Sequence, residues 1–153
     1  MRVQSGFTLV ELVVVIILVG VLAVIAIPRF QGVASFNAMG FTDRVTESLR
    51  YAQKQAIAKR RNVCAAFSAT AVTFTFASVA GAGQPCNTNL VGPGGQSPYT
   101  VTPEGNGVAF TSPPTNFSYD ALGRPSTGQS ISITGDGTRT LSVEPETGYV
   151  RTS

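Results

Sequence analysis

The sequence contains no histidine. That removes imidazole-based acid–base chemistry and the nucleophile–imidazole pairs of many hydrolases. Two cysteines without a histidine do not make a zinc site. Charge is scarce as well, at 12% of 153 residues against 43% hydrophobic. The carboxylates are scattered among turn signals, and no Ser-Lys pair sits at a recognisable spacing. Asp136, before Gly137, is a turn residue before it is a metal ligand. Gly92-Pro93-Gly94-Gly95 lacks a following Lys-Ser/Thr and helix, so it is not a phosphate loop. No period of 20–50 residues recurs, which excludes a solenoid. We expect no catalytic residue, no metal and no cofactor. The net charge of +3 and pI near 9.2 are too mild an excess to argue strongly for nucleic acid.

What the chain does have is one long apolar run, FTLVELVVVIILVGVLAVIAI, which accounts for much of its positive mean hydropathy of +0.20. From Phe7 to Ile27 there are about 21 residues, enough for a helix close to the hydrocarbon thickness of a bilayer. Its many Val and Ile are poor helix formers in water, but in lipid only a helix satisfies its own backbone. Glu11 is the one charge inside the run. A carboxylate there costs roughly 2.5–3.5 kcal/mol on insertion scales, so a partner or a role is expected. An α-amino group created by a cut between Gly6 and Phe7 would supply that partner, offered by one subunit to the carboxylate of the next.

Gly6-Phe7-Thr8-Leu9-Val10-Glu11, the apolar run and Pro28 after it closely resemble the N-terminal signature of type IV pilins and type II secretion pseudopilins. The resemblance implies a prepilin leader at 1–6, cleaved by prepilin peptidase at Gly6–Phe7, and N-methylation of Phe7. It implies that Glu11 guides assembly, that 7–27 forms the transmembrane and assembly helix, and that 28–153 is a periplasmic globular domain. Two other readings of the run stay open. A conventional secretory signal would have a shorter apolar core, and Val24-Ile25-Ala26 is a poor cleavage site. A plain single-span anchor would leave Glu11 unexplained. Arg2 and Arg29 flank the run on opposite sides, so the positive-inside rule is weakly informative and orientation rests on the resemblance.

Pro28 removes a helical hydrogen bond and crowds the preceding turn, so a kink is expected there, and Gly20 weakens the same helix. In filaments of the family the segment between such residues can lose helicity on assembly; a gently bent continuous helix is the alternative. Beyond Pro28, Phe41, Val45, Leu49, Ala52 and Ala56 recur at three- and four-residue spacing, one face of a helix. Lys59-Arg60-Arg61 suits the helix C-terminus, and Asn62 is expected to stop it. That basic cluster could instead grip DNA or a neighbouring pilin.

Past Asn62 the pattern changes to strands: 63–67, 72–76, 108–111, 117–119, 131–134, 140–143 and a last one around Tyr149-Val150-Arg151. Gly135-Asp136-Gly137 is a hairpin turn signal, and Gly81 to Gly95 reads as a long loop. In an oxidising periplasm Cys64 and Cys86 can close a disulfide; two separate buried thiols are the other reading.

Phe117 to Pro125, the following hairpin and Thr147-Gly148-Tyr149-Val150 are similar to the C-terminal sheet of minor pilins, in the pseudopilin H and FimT-like group and in MSHA-type pili. Gly123-Arg124-Pro125 is first a turn, with a surface role for Arg124 as an alternative. The fold expected is α+β and pilin-like: a long N-terminal helix from Phe7 to about Asn62, its second half packed on a C-terminal antiparallel sheet. The function expected is that of a minor pilin in an MSHA-like type IV pilus. Its partners would be other pilin subunits, prepilin peptidase, the inner-membrane assembly machinery and the membrane. The alternatives are an H-like minor pseudopilin of type II secretion and a DNA-binding minor pilin.

Overall fold

The computed structural model describes residues 8–26 and 33–153, with side chains for 8–22 and 36–153. Contacts divide the chain into two units, Met1–Val33 and Ala34–Ser153. The first unit holds helix α1, Leu9–Ala26. The expected kink at Pro28, and the continuity of one helix through it, lie outside the described residues.

Helix α2 runs from Val33 to Lys59. The stripe predicted from periodicity, Phe41, Val45, Leu49, Ala52 and Ala56, is fully buried. Thr42 and Thr46 lie beside it and return their hydroxyls to the carbonyls of Ala38 and Thr42, at 2.7 and 2.8 Å. Those two polar groups therefore enter the core satisfied. The helix does not end at Asn62 as expected. Arg60 adopts a left-handed conformation, φ 51°. Its N–H donates to Ile57 O, and that of Arg61 to Ala56 O. This is a Schellman closure with arginine where glycine is usual. Asn62 lies past it, and its carbonyl accepts from Ala77 N–H.

The β-structure is two antiparallel sheets where one was expected. The first has strands β1 (Val63–Phe67), β2 (Val72–Ala77), β3 (Cys86–Asn89), β4 (Tyr99–Val101) and β6 (Phe117–Tyr119), in order β3-β2-β1-β6 with β4 also on β2. The second has β5 (Ala109–Phe110), β7 (Gln129–Gly135), β8 (Gly137–Val143) and β9 (Val150–Thr152), in order β5-β7-β8-β9. β7 and β8 form the predicted hairpin, with Gly135 opposite Gly137 and Asp136 at the tip. The stretch read as a loop from Gly81 to Gly95 contains β3.

Alternation sets the inner faces: Val63 and Ala65, Val72 and Phe74, Ile131 and Ile133, Leu141 and Val143 are buried. They join the α2 stripe in one core cluster. Phe110 ties the parts together, its ring 5.4 Å from Phe41 and 5.6 Å from Phe67. Its N–H donates to Ala69 O, in the turn between β1 and β2. The disulfide Cys64–Cys86 is formed and joins β1 to β3, on either side of β2.

Candidate functional site

Helix α1 begins at Thr8, whose carbonyl accepts the Leu12 N–H at 3.2 Å. Its hydroxyl also accepts the Glu11 N–H, at 3.3 Å. Thr-x-x-Glu with this bond is the cap side of a capping box, and Glu11 stands where a carboxylate meets the positive end of the helix dipole. The sequence signal for this cap is a threonine three residues ahead of a glutamate at the start of an apolar run.

Every described side chain of α1 is exposed, the large apolar ones from 46% at Val13 to 78% at Leu9. A helix apolar on all sides belongs inside a larger body, protein or lipid. Among the described residues no helix is long and apolar enough to cross a membrane, and Glu11 has no basic group within ion-pair distance. Gly20 sits inside the helical run, and a Cβ added to it would meet nothing within 4 Å. Gly6, Phe7 and Pro28 lie outside the described residues.

The second unit carries a different kind of feature. Asp120 builds a tight turn: its Oδ1 accepts the N–H groups of Leu122 and Arg124, each at 2.8 Å. Its N–H donates to Arg124 O, and its carbonyl accepts from Gly123 N–H. Gln53 of α2 locks this turn to another, donating Nε2 to Gly123 O at 2.9 Å and to Thr147 O at 2.7 Å. Tyr119 lies beneath with its hydroxyl buried and unpartnered among the described residues, and burial pushes its pKa up. Burial likewise raises Tyr99, with Tyr51 beside it adding to the effect.

The basic cluster is largely occupied by its own fold. Lys59 lies 4.9 Å from the centre of the Phe76 ring, and Arg61 donates to Ser78 O. Arg60 is the left-handed residue that ends α2. No group of three or more potential metal ligands occurs among the described residues.

Residues 42–147 match the model of a family described as type II transport protein GspH, well over half the chain. The chain belongs to the GspH family. Residues 1–27 of this GspH-family chain also match the prokaryotic N-terminal methylation motif. Two curated relatives, both fimbrial proteins of Pseudomonas aeruginosa, are 33% identical over 63 residues. The match spans 41% of the chain and 41% of the length of those relatives. Crystal structures of the type IV minor pilin FimU of P. aeruginosa, in two crystal forms, share the fold at TM-scores of 0.54 and 0.52. The superpositions cover 75% of this chain and 87% and 91% of the FimU chains, at 14% and 15% identity. This GspH-family chain thus has the fold of a type IV minor pilin.

Proposed function

We infer that the chain is a minor pilin of an MSHA-like type IV pilus, cut by prepilin peptidase at Gly6–Phe7 and methylated on Phe7. Its apolar helix then waits in the inner membrane, with the second unit in the periplasm, until the assembly machinery draws it into a filament of other pilin subunits. The observation that carries this reading is α1: apolar on all sides and exposed at every described side chain, with one carboxylate uncompensated among the described residues. Such a surface is stable only when covered, by lipid before assembly and by neighbouring helices after it. Glu11 among apolar side chains calls for a cation, and the amine freed at Phe7 has the right chemistry and lies four residues away.

Glu11→Ala tests the assembly step. The variant should still lose its leader, giving an intact mass that begins at methylated phenylalanine, while its content in sheared filaments falls at least tenfold. Normal incorporation would remove the role given to Glu11. Retention of Met1 in the native product would remove the processing step.

The family description keeps an H-like minor pseudopilin of type II secretion as the second reading. The tail from Phe117 to Val150 is similar to both groups, and neighbouring genes for secretion or for pilus components separate the two. DNA binding gains little support, because Lys59 and Arg61 are engaged within the fold.

A further inference from the structure

We propose that Asn106 is a site of spontaneous modification, at which the folded chain exchanges a side-chain amide for a carboxylate. The main-chain nitrogen of Gly107 attacks the amide carbon, and solvent water completes the change. The reaction belongs to the second unit and does not depend on the assembly reading above.

The sequence holds six asparagines, and Asn106 alone is followed by glycine. A Cβ on the following residue shields its nitrogen from the side chain before it, and glycine leaves that nitrogen open. The fold separates the six in the same way. Asn37, Asn62, Asn87 and Asn116 are followed by Ala38 in α2, Val63 in β1, Thr88 in β3 and Phe117 in β6, where regular backbone holds the nitrogen in place. Asn87 and Asn116 also have their Oδ1 engaged, by the N–H groups of Ser78 and Phe67. Asn89 is followed by Leu90, whose N–H donates to Phe74 O at 3.1 Å.

Asn106 carries none of these restraints. It is exposed, in a turn on the loop that joins buried Val101 to buried Val108. The Gly107 N–H meets no backbone acceptor among the described residues. Gly107 has φ 83°, a left-handed conformation that glycine enters without the Cβ penalty. The turn therefore calls for the same residue that leaves the attacking nitrogen bare.

The steps balance with water as the one co-reactant. Gly107 N gives up its proton and bonds to Asn106 Cγ, while the Cγ–Nδ2 bond breaks and ammonia leaves with that proton. The cyclic imide then takes up one water. Opening at Cγ gives aspartate, and opening at the main-chain carbonyl gives isoaspartate, with the backbone routed through the former side chain. Either product places a negative charge two residues from Glu104. That glutamate pairs with Arg44 at 2.6 Å, and Arg44 also donates to Thr102 O at 2.6 Å. Gly105 stands against α2 as well, where a Cβ would lie 2.6 Å from Asn37 Nδ2. A subunit that stays folded for long thus acquires a charge, on a loop strapped to α2, that a new subunit lacks.

The test keeps the folded full-length chain in detergent at mildly alkaline pH and follows it by peptide mass. The Asn106 peptide should gain the mass that separates acid from amide at least tenfold faster than any peptide carrying another asparagine. The rate should rise with pH, because the attacking nitrogen must lose its proton. An isoaspartyl methyltransferase should label the same peptide, the mark of the imide route. The aged chain should elute earlier from a cation exchanger. Asn106→Gln, which would have to close a larger and slower ring, should keep its original elution. An Asn106 that reacts no faster than the other asparagines overturns the proposal. So does a reaction confined to the urea-denatured chain, or acid formed without any isoaspartate.

Discussion

Gly148 lies so close to Gly123 that a Cβ on it would stand 2.5 Å from the Gly123 carbonyl oxygen. The same Cβ would be 2.8 Å from Gln53 Nε2, the donor that bonds Gly123 O and Thr147 O. Gly148 also has φ 68°, so an alanine would be strained even in open space. Gly148→Ala should lower stability by about 2–4 kcal/mol, from left-handed strain and overpacking combined. Denaturant unfolding measures it, and a loss below about 0.5 kcal/mol, the size of an ordinary surface change, would show that the two turns are not locked.

The disulfide closes a loop between residues 22 apart in sequence. Replacing both cysteines by serine should cost about 3 kcal/mol in the chain-entropy model. Urea unfolding of the oxidised protein against the double variant gives the difference directly.

Tyr119 offers a test of opposite sign. Its hydroxyl is buried without a hydrogen-bond partner among the described residues, a condition that costs about 1–3 kcal/mol. Tyr119→Phe should leave stability unchanged or raise it, where an ordinary loss of a buried tyrosine hydroxyl bond would lower it. The ionised form is disfavoured in the fold, so the folded-state pKa is raised above the unfolded value near 10. The associated stability is fully present below pH about 10 and declines as pH rises further, because only the unfolded chain then releases the proton. In Tyr119→Phe this part of the alkaline decline should be missing, as pH-dependent unfolding would show.

Arg60 holds the left-handed position that ends α2. Glycine takes that conformation without the Cβ penalty, so Arg60→Gly should stabilise by about 0.5–1 kcal/mol. A destabilised variant would mean that the arginine side chain does more there than follow the backbone.

How much of this was legible depends on the range of the signal. The α2 stripe and the Gly135–Gly137 hairpin are local periodicities, and each is found where the sequence places it. Strand β3 gives no sequence signal because Cys-Asn-Thr-Asn puts polar or half-exposed residues on both faces, leaving no apolar alternation to detect. The division into two sheets was hidden because a strand's pattern tells which face is buried but not which strand lies beside it. Asn62 advertised a helix stop that the backbone makes two residues earlier, through an arginine with no turn signal. In the candidate sites, Glu11 was conspicuous as a lone charge among apolar residues. Gln53 was invisible, an ordinary helix-flank residue whose partners lie 70 and 94 positions away.

Among the described residues, the buried cluster that fills the second unit runs from Ala38 to Val150. A unit that supplies its own interior carries the information for its folding within its own segment.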